Sequence, residues 1–266
     1  AYTPDMPAEF GGGVVQINPK DYPEKFMFKF KLGTGYHSST TFKTFHTYEG
    51  GKMDFFGFDD GTREKPSGIK SSDLSLSGAY TTEQLDAIKA DFKNEYSPNT
   101  IDALMPLSFS FTLGNSYELD KNRNFGFLLT GMFKESSKTL NSKIKRYGDD
   151  GNILKDYDVD QSYYNTSKGM LLSLGYTTLK HKLRLTSFIT HKSKDKTSIL
   201  DGYNDDRQES LEENDSNKRY IMQYVETTLL FNQLYGEHRF ANNIKVDWTG
   251  SFSWASCPKA FAISAY

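Results

Sequence analysis

The chain has a single cysteine, Cys257, among its 266 residues, which excludes an internal disulfide framework and a cysteine-rich metal site. No apolar run reaches about 18 residues, so no transmembrane helix is predicted, although membrane-spanning strands are not excluded by this. The net charge is -2, and no cluster of Lys and Arg is large enough to attract nucleic acid. The first 20 residues carry neither a basic segment nor an apolar core, so we do not expect a signal peptide there.

Aromatic residues are abundant, whereas aliphatic residues are few. The chain contains 20 Phe and 17 Tyr, and aromatics reach 15% although all hydrophobic residues together reach only 36%. Aromatic side chains favour strands, and they also concentrate at both interfaces of membrane-embedded β-barrels. The composition therefore favours a β-rich fold.

About seven segments alternate between apolar or aromatic residues and small or polar ones, which predicts strands with two different faces. In the clearest case, Phe109 and Phe111 alternate with Ser108 and Ser110. The segments are 26–36, 107–119, 125–133, 170–177, 183–190, 219–234 and 244–254.

The connections between these strands alternate strictly between long and short. The long ones cover 37–105, roughly 137–162 and about 194–218. Outer-membrane barrels have short periplasmic turns and long extracellular loops, so this order predicts an all-β, antiparallel transmembrane β-barrel. A soluble sandwich, or an adhesin that binds without transporting, is the alternative.

The first long connection contains a predicted short helix and a candidate ligand-facing loop. Thr81 and Gln84 form a capping box, and Leu85, Ile88 and Phe92 follow at helical spacing. Exposed aromatics on loops commonly contact a ligand or partner, but these rings could equally form a small core with the helix. The candidate residues are Phe55, Phe56, Phe58, Asp59, Asp60 and Arg63.

Proline and glycine dominate the opening stretch, which ends in a short strand, Val14 to Ile17. Consecutive glycines allow backbone to pack closely on backbone, and prolines stiffen the approach. The motif consists of Pro4, Asp5, Pro7, Ala8, Glu9, Phe10, Gly11, Gly12 and Gly13.

Residues 2–17 resemble the last segment of the plug domain in TonB-dependent outer-membrane receptors, and residues 54–63 resemble a stretch found early in the barrel of one branch of that family. Members close about 22 strands around the plug. The resemblance therefore implies a fragment, with the end of a plug domain at 1–22, the first part of the barrel at 23–256 and an atypical tail at 257–266.

The function implied by this resemblance is active import of a scarce nutrient across the outer membrane of a Gram-negative bacterium. The nutrient is a ferric siderophore, a corrinoid or a glycan, and the partners are outer-membrane lipid and a TonB complex that contacts a segment upstream of residue 1. No bond in the nutrient is broken, so we do not expect an enzyme.

No cofactor and no metal site is predicted. The five histidines are scattered and form no helical pair with metal-ligand spacing. Asp201 to Asp206 is acidic but lacks the terminal glutamate of a calcium-binding loop, so a solvated loop is the better interpretation.

Overall fold

The computed structural model describes residues 22–64, 81–91, 97–204, 217–240, 244–257 and 260–265. Strands dominate these residues. They are β1 Met27–Thr34, β2 Thr44–Thr47, β3 Asn99–Asp102, β4 Leu107–Asp120, β5 Arg123–Tyr147, β6 Ile153–Thr178, β7 His181–Asn204, β8 Asn217–Arg239, β9 Lys245–Ser256 and β10 Ala260–Ala265. A 3-10 helix covers Asp54–Phe56, and α1 covers Thr82–Asp91.

One antiparallel sheet contains most of the strands, in the order β1-β4-β5-β6-β7-β8. Both β9 and β10 pair with β8, β9 along Thr228 to Arg239 and β10 along Tyr220 to Val225. The two strands therefore follow one another along the same edge. A second, two-stranded ribbon is formed by β2 and β3. The predicted all-β class is thus confirmed, and β10 adds a strand inside the segment predicted as an atypical tail.

All seven predicted strands are present, and strand also covers parts of two of the predicted long loops. In place of the predicted loop at 137–162, β5 continues to Tyr147 and β6 begins at Ile153, around a turn in which Gly151 has a φ of 82°. Likewise, β7 continues to Asn204 and β8 begins at Asn217. Ion pairs such as Lys145 to Asp156 at 3.0 Å hold the first extension together. The predicted long loop at 137–162 was therefore wrong, whereas residues 205–216 of the third predicted long loop lie outside the described residues.

The predicted helix is confirmed as α1. The Thr81 backbone N–H donates to Gln84 Oε1 at 2.9 Å, and the Gln84 N–H donates to Thr81 Oγ1 at 3.3 Å, which is the reciprocal pattern of a capping box. The predicted packing of its apolar side chains on Phe55, Phe56 and Phe58 falls outside the described side chains. Within the described residues, no helix has both the length and the hydropathy to cross a membrane.

The main sheet has two chemically different faces, and the register fixes which residues share each one. We call the aromatic face the one that carries Phe30, Phe111, Met170, Ile189 and Trp254, which follow one another across the sheet from strand to strand. The opposite face carries many small and polar residues in β4–β6. The predicted alternation of Phe109 and Phe111 with Ser108 and Ser110 is therefore confirmed.

Candidate functional site

A broad apolar surface lies exposed on the aromatic face, and we call it the apolar belt. Its large side chains are exposed to an extent unusual for a folded sheet; Phe252, for example, is 61% exposed and Phe30 59%. The exposed members are Phe28, Phe30, Leu32, Phe109, Tyr117, Met170, Leu185, Ile189, Leu234, Val246, Trp248, Phe252 and Trp254.

The belt has an aromatic border at the end near the β4–β5 and β6–β7 turns, which we call the lower border. Its polar border at the other end we call the upper border. At the lower border, Tyr117 pairs with Phe125 and Phe125 with Tyr176 across β4, β5 and β6. At the upper border, Lys168 lies between Phe133 and His191 in the register. Eight residue steps along β6 separate the two borders, or about 26 Å of strand. The belt is less regular in β7 and β8, where Ser187 pairs with Asn232 within it.

The chain before β1 crosses the opposite face of the sheet. The ring of Tyr22 lies over Gly126 and Gly175, and the ring of Pro23 lies over Gly114. A Cβ built on Gly175 would come within 2.1 Å of Tyr22 Cε1, so glycine is required for this approach. The Tyr22 hydroxyl also hydrogen-bonds Thr177 Oγ1 at 3.1 Å. Residues 22 and 23 therefore enter on the side away from the belt.

Residues 48–63, which we call the docked loop, pack against the aromatic face above the belt. Arg63 is buried at the centre of this contact, where its guanidinium meets two carboxylates of its own loop. It donates to Asp54 at 2.7 and 2.5 Å and to Asp59 at 3.3 Å. Because Asp54 accepts both bonds side by side, the pair has the fork geometry that arginine favours.

Arg63 also contacts the sheet directly. It lies 3.4 Å from Asp195 in β7, and its guanidinium carbon is 4.0 Å from the ring centroid of Tyr224 in β8. Its Nε donates to the Tyr48 hydroxyl at 2.9 Å. Burial raises the pKa of Tyr48, and the negative charge of Asp195 adds to this effect. Tyr48 thus stays a neutral acceptor.

Three carboxylates contact the guanidinium of Arg63, and two of them, Asp54 and Asp195, repel each other in a buried site. Burial raises the pKa of Asp195 to about 7; Arg63 opposes the shift and the charge of Asp54 adds to it. For Arg63, burial alone would lower the pKa, but the bonds and charges of Asp54, with Tyr48 and Asp195, raise it overall. Burial and the charge of Asp54 therefore favour the protonated, neutral form of Asp195.

Two further contacts attach the loop to the sheet. The His191 Nε2–H donates to the Gly57 carbonyl at 2.6 Å, and Glu226 Oε1 accepts a hydrogen bond from the Asp59 backbone N–H. Gly57 has a φ of 72°, and a Cβ there would come within 1.9 Å of Thr166 Oγ1. Glycine is therefore required both by the backbone conformation and by the close approach to β6.

The phenylalanines of the docked loop lie at the upper border of the belt. The ring centroid of Phe55 is 5.9 Å, and that of Phe56 6.3 Å, from the ring centroid of Phe133, which stacks on Phe109 at 5.3 Å. Phe58 lies over His191, with the Lys168 ammonium 3.2 Å from its centroid.

The structure brings five of the six candidate loop residues into one docked unit and leaves the sixth at its rim. Asp60 is exposed and closes the turn, accepting from the Lys52 N–H at 3.0 Å and from Thr62.

The residues of the sheet that receive the loop were not predicted from the sequence; they are Asp195, His191, Tyr224 and Glu226. One feature of the sequence indicates them: beyond the apolar belt, the residues of β7 and β8 that lie on the aromatic face are mostly polar. The opening motif from Pro4 to Gly13 lies outside the described residues.

A small polar cavity of about 240 Å³ lies between β2 and the strands β5 and β6. It falls below the about 300–1,000 Å³ typical of ligand sites, so it does not identify a substrate. Its lining consists of Ser39, Lys43, Thr44, His46, Thr139, Asn141, Asp160, Gln161 and Ser162. Among the described residues, no group of three or more potential ligands is arranged to hold a metal ion.

When the chain is compared with known proteins, no family model, no curated protein and no solved structure matches it.

Proposed function

We propose that this sheet is part of the wall of an outer-membrane β-barrel, in a TonB-dependent receptor that imports a scarce nutrient. The observation that carries the proposal is the exposed apolar belt with its aromatic lower border. A water-exposed sheet with this much aromatic surface would aggregate, whereas a membrane would cover it. The belt is also of suitable length, because a membrane-spanning strand needs about 9–11 residues.

The position of Tyr22 and Pro23 supports the receptor form of this proposal. In a barrel whose aromatic face contacts lipid, the opposite face lines the lumen. The chain before β1 crosses that opposite face, on glycines that leave room for it. A plug that ends inside the barrel requires this side of entry. Transport then consists of nutrient binding followed by movement of the plug under force from the TonB complex, with no bond of the nutrient broken.

Site-specific fluorescence in phospholipid vesicles tests the membrane assignment. The full-length protein is given single cysteines at Phe252 or Ser251 in a cysteine-free background that includes Cys257→Ser, and is labelled with an environment-sensitive dye. These neighbours in β9 are matched, because they lie on opposite faces. We expect lipid-borne quenchers to act strongly at position 252 and weakly at 251. Equal quenching at the two positions, or none at either, would contradict the proposal.

A nutrient-uptake assay tests the transport step. Cells that produce the protein are supplied with a ferric siderophore, a corrinoid or an oligosaccharide, with the TonB complex active or inactivated. The proposal predicts uptake of one nutrient class only when the TonB complex is active. The alternative, a surface adhesin or a soluble sandwich, predicts no dependence on that complex. A sandwich would also bury Phe252 under a second sheet rather than in lipid.

A further inference from the structure

We propose that Phe55 and Phe56 anchor the docked loop in the boundary between the acyl chains and the headgroups of the surrounding bilayer. This inference rests on the proposed function, because it needs the apolar belt to face lipid. It assigns the two rings to a lipid surface and not to a ligand at the pore mouth. The partner is the bilayer itself, recognised through aromatic side chains at the edge of its apolar core.

The docked loop lies on the lipid side of the sheet. Every strand residue that Arg63 contacts, and His191 as well, belongs to the aromatic face above the belt. Tyr22, in contrast, lies on the opposite face. A loop bound to the outer surface of the wall does not present Phe55 and Phe56 to the lumen.

The two rings continue the belt at its upper border. Both contact Phe133, which is the residue of β5 at this border and is only 6% exposed. The rings remain 47% and 48% exposed, respectively, so each has one side on the belt and the other uncovered by the residues that the structure describes. Outer-membrane barrels carry such aromatic rings at both interfaces. The lower border has Tyr117, Tyr176 and Trp248, and Phe55 and Phe56 supply the corresponding rings above.

The loop holds these rings in place before any lipid binds. Phe56 N–H donates to the Met53 carbonyl at 2.9 Å within the 3-10 helix, and Gly57 after it is fixed by His191. On the other side, Asp54 is held by Arg63. Because both flanking residues are anchored to the sheet or to Arg63, little conformational freedom remains to be lost on membrane contact.

Depth-dependent quenching tests the inference. Single cysteines replace Phe55, Phe56, Lys52 or Phe252 in the same cysteine-free background, each labelled with the same dye in phospholipid vesicles. Lys52 is the matched control, since it is exposed in the same loop. We expect quenchers placed near the headgroup to act on positions 55 and 56 at least about twice as strongly as on 52. Position 252 should respond most to quenchers deep in the acyl chains.

The outcomes separate the inference from the proposed function. If 252 is quenched in the bilayer while 55 and 56 behave like 52, the inference is overturned and the membrane wall stands. If 252 is not quenched either, both fail together. Protection of 55 and 56 from aqueous iodide without lipid quenching would mean that protein or ligand covers the rings, which would also overturn the lipid assignment.

Discussion

Arg63 in the docked loop and Asp195 in β7 lie 3.4 Å apart although 132 positions separate them in the chain. The side chain of Arg63 is 3% exposed and that of Asp195 15%, so this contact joins loop and sheet in a largely dehydrated site. Removing one member of such a group leaves the other charges buried without compensation. We therefore expect the contact to hold residues 48–63 on the sheet.

Replacement of Arg63 by Met should release the docked loop. Met fills a similar volume but leaves the carboxylates of Asp54, Asp59 and Asp195 without their cation, at an expected cost of about 3–5 kcal/mol in docking free energy. Hydrogen exchange at the Gly57 and Phe58 amides, both bonded within the loop, measures this directly.

The matched control is Arg123→Met. Arg123 also pairs with an aspartate, Asp120, at 2.6 Å, but the two side chains are 56% and 43% exposed. Solvent screens an exposed pair of this kind, so its loss should leave loop docking unchanged. Equal loss of loop protection in both variants would show that the buried network does not hold the loop.

Loop docking should weaken as the pH rises from about 4 to 7. Burial raises the pKa of Asp195 to about 7 from an ordinary value of 3.8. In this range the docked state keeps a proton that the undocked state has released. Docking therefore becomes less favourable as the pH rises, by at most about 4 kcal/mol. Above pH 7 both states are ionised and the loss levels off.

Asp195→Asn should remove this pH dependence and retain docking at pH 8. The measurement is amide exchange of the docked loop at pH 5 and pH 8, corrected for the intrinsic exchange rate. Asp201→Asn is the control, because Asp201 lies in the same strand but forms an exposed pair with Lys218. A pH dependence that persists in Asp195→Asn would assign it to another group.

The sequence predicts the strands of the belt well because large apolar residues alternate with small polar ones along them, as Phe109 and Phe111 do with Ser108 and Ser110. It fails for the extension of β5, where both faces are largely polar and little contrast remains. In the extension of β6, Tyr157 and Val159 alternate with Asp156, Asp158 and Asp160 and are buried with Leu200, so an alternating signal was present but was not used. A second usable signal was in the charges: Lys143 and Lys145 precede the turn at Gly151, and Asp156 and Asp158 follow it. Opposite charges placed symmetrically about a turn favour cross-strand pairing.

The docking of the loop could not be predicted in the same way. A buried arginine selects its partners through the folded sheet, and Asp195 and Tyr224 are far from Arg63 in the chain. The aromatic residues at 55, 56 and 58 were recognised, but the face on which they lie depends on those distant contacts.

If the sheet is the lipid-facing wall proposed above, replacement of Phe111 by Arg should destabilise the full-length protein in a membrane. Phe111 lies inside the belt with its ring over Gly131, and its register neighbours across β5 and β6 are Gly131 and Met170. A cation on a lipid face near the bilayer midplane costs about 2–4 kcal/mol. Unfolding from lipid vesicles by denaturant measures the difference in the free energy of unfolding between this variant and the unchanged protein. Ser110→Arg, on the opposite face of the same strand, should cost less; a cost for Phe111→Arg no greater than that for Ser110→Arg would count against a lipid-facing belt.

Replacement of Gly126 by Val should displace Tyr22 from the opposite face. A Cβ on Gly126 would come within 1.9 Å of Tyr22 Cδ2, so the ring would have to leave its present position. Such overpacking costs about 1–3 kcal/mol, and the bond from Tyr22 to Thr177 would be lost with it. We expect faster tryptic cleavage after Lys25, which directly follows this segment. Gly250→Val provides the control, because no atom of the described residues lies within 4 Å of a Cβ at that position. If both variants are cleaved at the same rate, the glycines are not what seats the chain before β1.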